Sequence, residues 1–181
     1  FPAAIMQELN ARVAVLKPKL AQASWVRPET QHLTFAFLGE QEEALVERIT
    51  PALEQALVAF PRFDARFHGC GFFPNARRAR VGWIGLEPEE PFVDIASAVR
   101  AAVVRNGIEL DGAAFKPHLT LMRLRDPWPH ACIDLFEKSL RSYESEPFEV
   151  DTVTLYSSKL SPSGAIHTPL RLFSLAPRGR P

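Results

Sequence analysis

Only two cysteines, Cys70 and Cys132, stand in 181 residues, too few for a disulfide framework and without the companions of a metal site. Both read as small buried residues, which fits a reducing, cytoplasmic setting. Long apolar stretches are also missing. No run approaches the roughly 20 residues of a membrane span, and no signal-peptide pattern opens the chain, so no membrane partner is expected. Neither sign of charge is in surplus, with 21 basic against 21 acidic residues. A protein that coats nucleic acid along its backbone carries a basic excess; the balance here confines any such contact to a short stretch, such as one chain end. The chain starts at Phe1 rather than Met, and a helical pattern follows directly after Pro2, so an element ahead of Ala3 is expected to be missing. With no low-complexity segment or long linker, residues 1–181 read as a single domain, expected to be monomeric.

What the sequence does contain is a repeat. His32-Leu33-Thr34-Phe35 returns as His118-Leu119-Thr120-Leu121, 86 residues later, and both copies sit in strand-like runs. A strand has a side-chain period of two, so His and Thr share one face about 6–7 Å apart while the apolar pair faces the other way. Around these motifs the element order also repeats, roughly over 1–86 and 90–176: helix, His-Thr strand, helix, two strands. Helices are expected at 3–20, 42–59, 91–104 and 129–143, the second with Leu45, Ile49, Leu53 and Leu57 on one face. Strands are expected at 33–38, 63–67, 81–86, 118–124, 148–156 and 169–175. Gly69, Gly71, Pro74 and Asn75 punctuate one loop, Pro162 and Gly164 another, and 177–181 form a polar tail. The fold class is α+β: a bilobal domain, two pseudo-symmetric lobes of mostly antiparallel sheet with helices outside and a central cleft.

Two imidazoles and two hydroxyls suit attack on a phosphate held between them. One histidine takes a proton from the attacking oxygen while the other protonates the leaving oxygen, each role contributing about 10²–10⁴-fold. Histidine suits both roles because its unperturbed pKa is about 6.5, and the threonine hydroxyls donate to the non-bridging oxygens. A single His-x-Thr is a weak signal, since strands are rich in Thr; two equivalent copies are not. Metal binding is the nearest rival, but the flanking Gln31, Ala36, Lys116 and Met122 supply no third ligand, and Lys116 attracts a phosphate and repels a cation.

Other residues qualify as candidates for substrate contact. Lys116, Arg123 and Arg125 flank the second motif, and Arg77, Arg78 and Arg80 form a separate basic group whose bland reading is solvated loop charge. Strict alternation sets Lys116, His118, Thr120 and Met122 on one face and Arg123 on the other, so Arg123 reaches a phosphate only where the strand ends, twists or bulges near Met122. Trp25 and Phe73 are candidate stacking platforms for a base, and His167, on the last loop, is a candidate at the groove's border. His68 reads as a packed or surface residue, and His130, after Trp128-Pro129, as a residue near a helix start.

Longer motifs surround these residues: Trp25-Val26-Arg27-Pro28 ahead of the first His-Leu-Thr and Phe37-Leu38-Gly39 after it, then Gly71-Phe72-Phe73-Pro74 with Arg80-Val81-Gly82-Trp83. Phe115-Lys116-Pro117 leads into the second copy, and Tyr156-Ser157-Ser158-Lys159-Leu160 with Pro162-Ser163-Gly164 closes the pattern. On these residues the chain resembles the two-histidine phosphoesterase superfamily, and more closely the RNA 2′,3′-cyclic phosphodiesterases, also called 2′-5′ RNA ligases. The resemblance implies hydrolysis of an RNA 2′,3′-cyclic phosphate end to a 2′-phosphate, with no metal or other cofactor, and 2′-5′ ligation as the reverse. It implies His32 as proton donor to O3′, His118 as proton acceptor from water, and Thr34 and Thr120 as phosphate-binding residues. Residues alone support only a phosphoester substrate. A phosphoesterase acting on a small cyclic nucleotide or ADP-ribose derivative, and a non-catalytic RNA-end binding protein, stay open as alternatives. The chain departs from the family pattern at its start, where a short strand is usual, at Met122, where a smaller residue is common, and at His167, where a tyrosine is expected.

Overall fold

Ile5, Leu9, Val13 and Leu16 recur at helical spacing, and in the computed structural model all four are buried along one side of α1 (Ala3–Leu16). The helix stops short of residue 20 because Pro18 has no N–H to continue it, and the chain tightens into a 3-10 turn at Lys17–Lys19. The structure describes residues 1–112, 114–161 and 164–178. They fall into two compact units whose segments alternate along the chain: Phe1–Leu33, Ala65–Pro88 and Pro117–Phe148 in the first, Thr34–Asp64, Glu89–Lys116 and Glu149 onward in the second.

The first unit is built on an antiparallel sheet. β2 (Phe63–Phe73) turns back into β3 (Val81–Glu87), β4 (His118–Arg123) pairs with β3, and the short β1 (Ser24–Trp25) lies along the far edge of β4. With β5 (Phe148–Val150) the strand order is β1-β4-β3-β2-β5. Phe72 turns to the buried face, where its ring meets Phe136 of α4 (His130–Leu140) at 5.0 Å and Trp128 at 6.4 Å. The stretch read as loop from Gly69 is in fact strand as far as Phe73. A bulge between Phe67 and Cys70 absorbs Gly69, whose φ of 67° only glycine adopts readily, and the ladder resumes beyond it.

The second unit packs α2 (Leu45–Leu57) on α3 (Glu89–Arg105). The expected stripe Leu45, Ile49, Leu53 and Leu57 meets Ile95, Val99 and Val103 in one buried cluster that also holds Phe173 and Leu175. α3 ends at the expected Asn106-Gly107, with Gly107 at φ 80°. β6 (Thr152–Ser161) and β7 (Gly164–Ser174) form a long hairpin, paired from Thr152↔Ser174 to Ser161↔Gly164. It overruns the expected strands at 148–156 and 169–175 because an antiparallel pair with an open face accepts polar residues such as Ser158 and Lys159. His167 is therefore a strand residue rather than a loop residue. Residues 162 and 163 of the expected loop and 179–181 of the expected tail lie outside the described residues, and Arg178 is tied to Asp64 and, at 3.3 Å, to Glu149.

The ladders β1–β4, β4–β3, β3–β2 and β6–β7 are all antiparallel, as the α+β reading expects. One expected strand is absent. The first His-Thr segment, 33–38, joins no ladder among the described residues. β1 could run on toward it, but Pro28 has no N–H for a ladder and opens a 3-10 turn, Pro28–Thr30, that carries the chain off the sheet. Exposure still alternates, with His32 and Thr34 exposed and Leu33 and Phe35 half-buried.

Candidate active site

β4 does not follow strict alternation. Its register against β3 runs Gly85↔His118, Ile84↔Leu119 and Trp83↔Thr120, then slips to Gly82↔Met122 and Val81↔Arg123, leaving Leu121 as the extra residue of a bulge. Residues opposite one another in an antiparallel pair share a face. The slip therefore turns Met122 to the buried side, where it is fully buried and a Cβ on Gly82 would meet its Cγ at 3.1 Å and Phe72 Cε1 at 3.4 Å. Arg123 moves the other way, onto the face of His118 and Thr120. Their partners Gly85, Trp83 and Val81 are spaced two apart, so imidazole, hydroxyl and guanidinium stand in a row at intervals of about 6–7 Å. The expectation that Met122 shares this face is corrected; the condition set for Arg123, a bulge near Met122, is met.

An aromatic wall flanks the row. Phe73 meets the His118 ring edge-on, with centroids 4.8 Å apart and planes at 81°, and Trp83 lies 5.3 Å from Phe73 and 6.3 Å from His118. Two glycines make room for the indole and the strands beside it. A Cβ on Gly71 would stand 2.6 Å from Trp83 Cζ2, and one on Gly85, opposite His118, would stand 2.6 Å from the His68 carbonyl oxygen. Residue-by-residue reading named Phe73 but missed Trp83. Its available signal was the pair of glycines that fall on its own face of the sheet.

His32 is held from both ends of its segment. Ahead of it, Asn10 of α1 and Gln31 exchange amide hydrogen bonds, Nδ2 to Oε1 at 2.9 Å and Nε2 to Oδ1 at 3.1 Å. Behind it, Phe35 stacks on Phe115 at 5.7 Å. The ring Nδ1 lies 2.8 Å from the Thr30 carbonyl oxygen. A carbonyl only accepts, so Nδ1 carries the proton and Nε2 is the nitrogen left to exchange one. In chain direction, β1 runs antiparallel to β4, and Val26 N–H donates to the Leu121 carbonyl at 2.9 Å. Along that pairing the backbone runs in the direction of His118 as far as Val26, before the Pro28–Thr30 turn leaves the sheet.

His32, His118, Thr120, Arg123 and Phe73 all belong to the first unit. Trp25 also belongs there, but its pairing with Met122 puts it on the opposite face of the sheet, and Lys17 Nζ lies 5.3 Å from its ring centre. Thr34, Lys116 and His167 belong to the second unit. There Lys116 Nζ pairs with Glu89 at 2.9 Å, and His167 Nδ1 lies 2.7 Å from Ser158 Oγ across the hairpin. No group of three or more potential metal-ligating side chains occurs among the described residues. Cys70 sits under α4, its Sγ 3.8 Å from the Glu137 carbonyl. Burial, reinforced by Glu137 and opposed by Arg141, pushes its thiol up to about 12, so it is no nucleophile at neutral pH.

Comparison with known proteins adds a second line of observation. The family model described as the 2′-5′ RNA ligase superfamily matches residues 4–161. The RNA 2′,3′-cyclic phosphodiesterase of Methanothermobacter thermautotrophicus is 32% identical over 160 residues, covering 88% of this chain and 86% of its own. That of Archaeoglobus fulgidus is 37% identical over 151 residues, covering 82% and 81%. Among solved structures, the protein TT0787 of Thermus thermophilus superposes with a TM-score of 0.75 at 28% identity, over 99% of this chain and 96% of that one.

Proposed function

Since the chain belongs to the 2′-5′ RNA ligase superfamily, we propose that it is an RNA 2′,3′-cyclic phosphodiesterase that opens cyclic phosphate ends to 2′-phosphates by histidine acid-base catalysis. The observation that carries this reading is the row of His118, Thr120 and Arg123 on one face of the sheet. His118 takes a proton from water as its oxygen attacks phosphorus, and the bond from phosphorus to O3′ breaks. His32 gives the proton from Nε2 to the departing O3′, while its Nδ1–H stays on the Thr30 carbonyl. Thr120 donates to a non-bridging oxygen, and Arg123 balances charge there as it grows in the transition state. Thr34 is the second phosphate donor by the logic of the repeat, and Phe73 offers its ring to the terminal base.

This scheme needs no metal, and none of its residues is a thiol. Both cysteines are free, in keeping with a reducing, cytoplasmic setting. The deciding measurement is turnover of an RNA oligomer with a 2′,3′-cyclic phosphate end in excess chelator, with the product identified by phosphorus NMR. A 2′-phosphate is expected. A 3′-phosphate would mean that O2′ leaves instead, and absence of any turnover would leave a binding protein as the better description.

A further inference from the structure

The two arginine groups that look separate in the sequence meet in the fold. The stretch holding Arg77, Arg78 and Arg80 joins β2 to β3, and the one holding Arg123 and Arg125 closes β4. Val81 pairs with Arg123, the Leu124 N–H donates to the Arg80 carbonyl at 2.8 Å, and Arg80 Nη1 donates to the Arg125 carbonyl at 2.5 Å. Asn75 Oδ1 accepts from the backbone N–H of Arg77 and Arg78, both at 3.1 Å, which fixes the turn that carries them. All five arginines are exposed. None of them is among the ion pairs of the described residues, in contrast to Arg66, Arg141 and Arg171. Asp126 is the one acid in these two stretches. In a chain of zero net charge, such a concentration of unneutralised cations at one end of one sheet is a local field with a direction.

We infer that this arginine rim, formed by Arg77, Arg78 and Arg125 beyond Arg123, binds the backbone phosphates of an RNA strand upstream of the end being cleaved. The inference rests on the proposed activity and names its substrate class: oligonucleotides rather than mononucleotides. The geometry supplies the direction. His118 and Arg123 stand four β3 residues apart by register, about 13 Å, and the rim begins where that row stops. A single nucleotide seated at His118 ends near Arg123, whereas a longer strand continues onto the rim. Guanidinium groups suit this role because they bind phosphate through two parallel N–H bonds. Sequence specificity is not implied, since backbone contacts position a strand without reading it.

The test compares a 2′,3′-cyclic mononucleotide with a single-stranded oligomer of about eight nucleotides carrying the same cyclic end, on the wild type and on R77A/R78A/R125A. For single strands the slope of log affinity against log salt is about −0.7 per phosphate neutralised. Three rim contacts therefore predict an oligomer KM that rises about 20-fold between roughly 50 and 200 mM salt, against a much flatter response for the mononucleotide. The triple variant is expected to lose that steep response and to process the mononucleotide as the wild type does. Equal salt response of the two substrates on the wild type, or an unchanged oligomer slope in the triple variant, would overturn the rim. A wild type that turns over neither substrate would instead overturn the proposed activity, and direct binding of the uncleaved oligomer would then still read the rim by its salt slope.

Discussion

Gly71→Ala puts a methyl group against the aromatic wall of the site. Its carbon would lie 2.6 Å from Trp83 Cζ2 and 2.9 Å from Cη2, where relaxed carbon contacts lie at roughly 3.5–4.0 Å. Relieving the clash displaces the indole by about 1 Å. An indole cannot fold one end away, so it moves as a plate against Phe73 and His118, whose centroids lie 5.3 and 6.3 Å from its own. Overpacking of this kind costs about 1–3 kcal/mol, and a catalytic group misplaced by about 1 Å loses on the order of 10²-fold in rate. Gly82→Ala is the matched control on the other face. Its methyl meets Met122 and Phe72, and methionine adapts by changing rotamer, so stability falls by a similar amount, about 1–3 kcal/mol, while turnover stays near wild type. Urea unfolding together with kcat and KM on a cyclic-phosphate RNA end separates the two. A folded Gly71→Ala with wild-type kcat, or equal rate losses in both variants, would refute the claim that Trp83 and Phe73 hold the His118 ring.

His32→Ala and His118→Ala each delete one proton transfer and are expected to lower kcat by about 10²–10⁴-fold, Thr120→Ala by less, and saturating chelator not at all; the rates of the three variants with and without chelator check this. Asn10→Ala leaves the Gln31 amide half-paired and should cost about 1–3 kcal/mol, with a fall in kcat as the His32 segment loosens. A double-mutant cycle with Gln31→Ala should return a coupling of about 0.5–3 kcal/mol, and additivity would show that the amide pair does not anchor the segment. Alkaline stability offers a further test. Burial, with Glu137 second, raises the Cys70 thiol to about 12, and burial, with Glu8 second, raises the Tyr143 hydroxyl to about 12. Both groups hold their protons more tightly in the folded chain, so the stability they contribute is complete below about pH 9 and is lost as pH climbs toward 12. Thermal melts from pH 8 to 11 should show a falling Tm with a shallower slope in Cys70→Ala; a steeper slope in that variant would contradict the assignment.

How far the sequence carried the reading depended on whether local pattern or long-range pairing decided the outcome. The faces of α1, α2 and α4 were legible because helical spacing is set within the segment, and the α2 stripe from Leu45 to Leu57 is buried as read. His118 and Thr120 share their face because no irregularity of β4 falls between them. The first His-Thr segment looked like a strand because alternation survives in its exposure, yet a strand needs a partner, and Pro28 steers the chain away from the edge of β4. Gly69 and Gly71 looked like loop residues, but one relaxes a bulge and the other makes room for Trp83. Neither role has a signature shorter than the whole sheet. Trp25 was misassigned for the same reason, since only its pairing with Met122 reveals its side.

The extra residue at Leu121 also acts as a vernier. In the sequence, His118, Thr120 and Arg123 are spaced two and then three apart, while on β3 their partners are spaced two and two. The bulge converts an uneven ruler into an even one. Its length is therefore an integer constraint on function. Were Leu121 drawn into the ladder as an ordinary pair, strict alternation would send the guanidinium through the sheet to the apolar side, whereas deleting Leu121 would restore spacings of two and two and keep His118, Thr120 and Arg123 on one face. In this part of the chain what matters is thus the parity of a face, the count of residues and bulges together, and not the chemistry of a side chain.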